Sequence, residues 1–257
     1  MKKHQNLSII INYIITYIVF AALSIGLLLL SQYLVSKRII SNNYSWIFIV
    51  LRYIIAVIGI LIYGKKVAKV TIDFKLQKTL PSLIGWIVVI AVCIYNMWDV
   101  RINLNSNTNI ENFMFCLGPA VFEELWLRGV VYKKLLVVNR NTKYDLTKAI
   151  IVSALLFMIS HVFISDYSSS TLELAQCITA LGLGILFAVT YYVTRNLAAT
   201  MLMHFANNAN SYFAGGAAPF FNNLNTIQFS ILSFVIHLIL AGVLLVIASK
   251  VKNKMSK

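Results

Sequence analysis

"SIIINYIITYIVFAALSIGLLLLS" occupies residues 8–31, and its reading decides what kind of protein this is. It holds no charged side chain, is too long for the apolar core of a signal peptide, and has no small-residue cleavage site nearby. It therefore reads as a retained helix that crosses a bilayer, whose hydrocarbon core of about 30 Å needs about 20 apolar residues. The same kind of run recurs at about 45–63, 80–98, 111–136, 148–165, 172–193, 196–213 and 227–248. The chain is 60% hydrophobic and only 12% charged. These features predict an all-α, polytopic helical membrane protein with about eight transmembrane helices. Only short polar stretches separate the runs, so residues 1–257 are expected to form a single integral membrane domain. "NLNSNTN" (103–109) and "SSS" (168–170) read as loops, and no internal repeat is visible.

A net charge of +14 raises the question of a nucleic-acid partner, but its placement argues against one. With both termini in the cytoplasm, only Lys37, Arg38 and Arg101 fall outside, and Arg52 and Arg128 fall within the spans. Every other lysine and arginine is then cytoplasmic, as the positive-inside rule requires. The basic balance reports orientation and attraction to anionic lipid headgroups, and no basic face is interleaved with exposed aromatics. Cys93, Cys116 and Cys177 lie in or beside spans without CxxC or metal-ligand spacing, and read as small packing residues.

Few ionisable groups remain inside the spans: Arg52, Glu123, Glu124, Arg128, His161, His204 and His237. A charge at mid-bilayer costs about 2.5–3.5 kcal/mol on insertion scales, so such residues face a bundle interior or a wet cavity. In "FEELWLRG" (122–129), Glu124 and Arg128 are four apart and share a helix face, where they can pair. Glu123 is five from Arg128, roughly 140° around an α-helix, and cannot easily be neutralised by it. Glu123 is then the carboxylate suited to act as a general base. Gly118-Pro119 just upstream predicts a helix break and a fresh start, with Glu123 near the positive end of the new helix.

"FMISH" (157–161) adds a lone intramembrane His161, with Phe157 one turn away. In "HFANN" (204–208), His204 and Asn208 are four apart and project from one face. Buried imidazole and carboxamide groups need polar partners, and few are available outside Glu123, Glu124 and His161. At 1.5 Å per residue, Glu123, His161 and His204 lie at depths of roughly 12–20 Å from the cytoplasmic side. That makes one shared cavity feasible, opening toward the cytoplasmic half. Arg52 and His237 read as structural: Arg52 snorkels or pairs, and His237 is packed. Gly182, Gly184 and Ala188 allow close helix approach.

Three motifs in this order, "EELWLRG", "FMISH" and "HFANN", resemble the EExxxR, FxxxH and HxxxN patterns of the CAAX-protease and bacteriocin-processing (Abi) intramembrane protease family. The resemblance covers roughly 117–210. Leu127 stands where the family often has Phe, and of the two asparagines spacing selects Asn208. It implies an intramembrane endopeptidase acting on a membrane-associated peptide or protein. Under it, Glu123 would activate water assisted by His161, His204 and Asn208 would hold the oxyanion, and Glu124 with Arg128 would support the site. In bacteria it points to bacteriocin self-immunity or peptide-signal processing; a bacterial plasma membrane fits the Ile-, Asn- and Lys-rich composition. Zinc, if present, would take Glu123, His161 and His204, but HExxH is absent and a metal-independent mechanism is the favoured expectation. Two other classes compete. One is a non-enzymatic immunity or scaffold protein that binds a toxin or sensor kinase. The other is a transporter, against which stands the lack of a repeat or of paired broken helices.

Overall fold

The computed structural model describes residues 2–41, 44, 46–102, 106–139, 145–164, 170–214 and 224–255. Among them there is no strand. The helices are α1 (Lys2–Ser36), α2 (Trp46–Tyr63), α3 (Leu80–Met97), α4 (Asn107–Glu124), α5 (Lys133–Asn139), α6 (Asp145–Ile164), α7 (Ser170–Thr194), α8 (Leu197–Phe213) and α9 (Thr226–Met255). A π-helical turn, Gly64–Ala68, extends α2, and a π-helical segment, Leu125–Tyr132, joins α4 to α5 without interruption. Among the described residues these make eight rods, one for each apolar run, in an all-α polytopic membrane protein. Most of "SSS", the start of "NLNSNTN", Arg140, Lys143 and Asp166 lie outside the described residues. The end of "NLNSNTN" is helical rather than loop, because the Ser106 hydroxyl accepts from the Asn109 N–H and caps α4.

Six rods are long and apolar enough to cross a membrane by length and composition. The two that fall short are the α4–α5 rod and α8, and these carry the glutamate pair and the His204/Asn208 pair. Their polarity is tolerable because the other helices wrap them: every residue from Leu125 to Tyr132 is buried.

Gly118-Pro119 does not break the rod. Helix α4 runs through Pro119, and Glu123 sits near its C-terminal end rather than one turn into a new helix. A proline removes one helical hydrogen bond, which neighbouring groups in a helix bundle can offset. The glycine serves packing instead. A Cβ at residue 118 would lie 2.2 Å from the Tyr53 ring, so only glycine lets α2 and α4 meet there. Gly184 and Gly182 play the expected packing role: a Cβ would fall 2.9 Å from the Ala154 backbone and 3.0 Å from that of Phe234.

The end of the bundle carrying α5 is tied together by the extended segment 69–79. Asp73 accepts from Lys133 through its carboxylate and from the Leu197 N–H through its carbonyl. The Lys133 ammonium also donates to the Thr71 carbonyl, the Lys134 ammonium to that of Ala68, and the Asn196 amide to that of Phe74. Helices α7 and α8 join at Arg195, in the left-handed region at φ 50°, where a non-glycine residue costs roughly 1–2 kcal/mol. Asn196 then caps α8 by accepting from the Ala198 N–H at 2.9 Å, which contributes about 1 kcal/mol. This tight corner fixes where α8 enters the bundle and so where His204 stands.

Candidate active site

The centre is built on the last turn of α4. Glu124 is fully buried, and its Oε1 accepts from Arg128 Nη1 at 2.7 Å. The same oxygen lies 3.1 Å from His204 Nδ1 on α8. Arg128, also fully buried, donates from Nη2 to the Gly184 carbonyl at 3.0 Å. Its guanidinium lies over the rings of Phe157 and Phe187, 4.8 and 5.3 Å from their centroids. Those two phenylalanines also flank His204, with Phe157 edge-on at 5.4 Å and Phe187 stacked at 5.6 Å. Four helices thus converge on one buried carboxylate, and a desolvated ion pair of this kind holds only with such full coordination.

The pairing occurs in a helix that is not α-helical beyond Glu124. In a π-helix the closing bonds run to the fifth residue, which brings positions five apart toward one face. The 140° separation computed for Glu123 and Arg128 therefore does not apply. Arg128 nevertheless pairs with Glu124, which also meets His204.

The two histidines are held by different partners. His161 is on α6, with Nδ1 2.8 Å from the Phe157 carbonyl, so Nδ1 carries the hydrogen and Nε2 is left as an acceptor. Its ring packs edge-on against Phe157 at 4.6 Å. His204 has its Nδ1 hydrogen aimed at a carboxylate, an arrangement that stabilises positive charge on the ring as it forms. Asn208, one turn along α8, is half-buried and donates to the Cys116 carbonyl at 3.3 Å. Glu123 is 8% exposed and lies within electrostatic reach of Tyr53 on α2.

The structure thus brings Glu124, Arg128, His204, Phe157 and His161 into one continuous cluster, with Glu123 beside it and Asn208 on the same α8 face. No three His, Cys, Asp or Glu side chains among the described residues group as a metal site requires. The arrangement does not fit the three-ligand zinc set of Glu123, His161 and His204.

Sequence reasoning missed several members. Phe187 and the Gly184 carbonyl have no motif, although an apolar stretch rich in glycine was a signal for close approach. Arg52 pairs structurally, as expected, its Nη2 donating to the Tyr53 hydroxyl at 3.2 Å. It lies over the rings of Tyr53 and Phe115, 4.7 and 5.2 Å from their centroids. His237 is packed as expected, close against Gly182. On the α5 side of Glu123 the rod is buried through Tyr132, whereas Asn207, Asn208 and Tyr212 toward the other end are half-buried or exposed. In the orientation expected from charge, that end faces away from the cytoplasm.

No curated protein and no solved structure matches the chain. A family model does, and it supports an intramembrane protease. Residues 105–210, which carry Glu123, Glu124, Arg128, His161, His204 and Asn208, are similar to the family described as type II CAAX prenyl endopeptidase Rce1-like.

Proposed function

We propose that this chain is a metal-independent intramembrane endopeptidase that hydrolyses a peptide bond in a membrane-associated peptide or protein, with 1–257 as its single integral membrane domain. The observation that carries the reading is the buried Glu124 carboxylate shared by Arg128 and His204, one residue from Glu123. A purely architectural ion pair needs no imidazole on the same oxygen. In this reading Glu123 takes a proton from water as the oxygen attacks the scissile carbonyl, assisted by Nε2 of His161. His204 in its imidazolium form, with Nδ1–H on Glu124, donates from Nε2–H, and the Asn208 amide donates beside it, to the oxyanion that forms. The proton then passes from Glu123 to the leaving amine as the C–N bond breaks. Glu124 and Arg128 position His204 and touch no substrate. No step is routed through a metal, a reading supported by the absence, among the described residues, of a grouping of Glu123, His161 and His204 as metal ligands.

The proposed setting is a bacterial plasma membrane with both termini cytoplasmic, and the proposed biological roles are bacteriocin self-immunity or peptide-signal processing. The test compares membranes containing wild-type and Glu123→Ala protein at equal abundance by quantitative proteomics. An uncleaved precursor should accumulate with the variant. Unchanged processing or immunity would instead favour the scaffold reading.

A further inference from the structure

Both π-helical segments border one cavity of about 300 Å³, at the end of the bundle where α1 meets α5. The turn Gly64–Ala68 lends Val67 to its wall, and the segment Leu125–Tyr132 lends Trp126 and Val130. Helix α1 closes it with Ser8 and Asn12, and α5 with Lys134. The volume lies at the lower limit of small-molecule sites, and π-helical turns are frequent at functional sites. This cavity is separate from the polar centre around Glu124. Trp126 and Arg128 are two positions apart, roughly opposite each other around a helix. Arg128 turns to Glu124, whereas Trp126 lines the cavity.

The polar groups around the cavity favour an anion. The Lys134 ammonium gives one of its three N–H donors to the Ala68 carbonyl at 2.9 Å, leaving two. The Tyr63 hydroxyl accepts from Asn12 Nδ2 at 3.0 Å and so keeps its own hydrogen to donate. The Trp126 indole is 1% exposed and edge-on to Tyr63, and its N–H has no acceptor among the described residues. No Asp or Glu is in the lining. A buried donor left unpaired costs about 1–3 kcal/mol, which an acceptor brought by a ligand recovers. The remaining wall is mostly aliphatic, and so is the margin: Val67 is 60% exposed, and Val137, next to the lining residue Val138, is 63% exposed. An anion dissolved in water would have to cross that apolar margin. An amphiphile in the bilayer meets it with its own hydrocarbon.

We infer that this cavity binds one phospholipid with a net negative headgroup. Its phosphate sits at Lys134 and Tyr63, its ester oxygens lie toward Trp126, and its chains run out over Val67. The site is a second one, and it does not depend on the protease reading of Glu123.

The test uses the full chain, stripped of lipid in detergent and offered equal amounts of phosphatidylglycerol and phosphatidylcholine. Retained lipid is counted by native mass spectrometry. Wild-type protein should hold a single phosphatidylglycerol, preferred about 5- to 10-fold over phosphatidylcholine, the effect of about one lysine on an anionic headgroup. Lys134→Gln should abolish that preference, and Lys134→Arg should keep most of it. Ser8→Phe fills the cavity from an exposed rim position and leaves the charge unchanged, so it should displace the lipid altogether. Lys78→Gln removes the same charge from an exposed position outside the lining and should change nothing. Equal retention of the two lipids by the wild type overturns the inference. So does a Lys78→Gln protein that loses the preference as fully as Lys134→Gln, which would assign it to the general charge of this end. Release of the lipid by inorganic phosphate would make a free anion the ligand, and a preference that survives Ser8→Phe would place the lipid elsewhere on the surface; either result overturns the site.

Discussion

Adjacent glutamates with different duties should respond differently to the same conservative change. Glu124→Gln keeps shape and leaves an oxygen for Arg128, but removes the negative charge that faces both Arg128 and His204. All three side chains are 0–3% exposed, so water cannot replace what is lost. Breaking a buried pair by neutralising one partner costs about 3–5 kcal/mol. For a chain of this size each kcal/mol lowers Tm by about 2–4 °C, so the expected drop is about 6–20 °C. Glu123→Gln, which breaks neither of these contacts, should melt within about 2 °C of wild type under the same scale, yet lose about 10²- to 10⁴-fold in turnover. Thermal unfolding of both purified variants in one detergent, followed by tryptophan fluorescence, measures the first quantity, and peptide cleavage the second. A Glu124→Gln protein as stable as wild type, or a Glu123→Gln protein destabilised to the same degree, would refute the division between them.

Asn208→Ala removes one proposed oxyanion donor and should lower turnover about 10²- to 10³-fold, while unfolding temperature changes little; cleavage assays beside melting curves separate the two. Gly118→Ala forces a methyl into the Tyr53 ring and should cost about 1–3 kcal/mol, seen as a lower Tm with no direct change to the polar centre. Peptide cleavage by the purified protein should persist in strong chelator, and loss of activity that zinc restores would show that a metal takes part.

Hydropathy located the eight rods because lipid demands long apolar helices regardless of sequence detail. It also exposed the site, since "EELWLRG" and "HFANN" are affordable only where other helices cover them. Which residues meet was far less legible. Glu124 and His204 are separated by 80 positions, and nothing local to either says that α8 delivers its imidazole to the second glutamate and not the first. Gly118-Pro119 carries a strong local signal for a break, yet a tertiary contact, the Tyr53 ring, explains the glycine. The π-helical segment has no sequence signature at all: "LWLRGVVY" is ordinary apolar helix by composition, and its wider winding is decided by packing.

The segment Leu125–Tyr132 has one more implication. A π-winding holds more residues per turn than an α-helix covering the same path, so the rod contains surplus length at this point. Removing a single residue there would let the segment rewind as α-helix while leaving Glu123 and Glu124 undisturbed upstream. Downstream, everything would rotate: Lys133 would swing off Asp73 and Lys134 off the Ala68 carbonyl, unfastening the strap across the bundle end. The surplus thus acts as a phase adjuster, reconciling the angle the glutamate end of this helix needs with the angle its anchoring end needs.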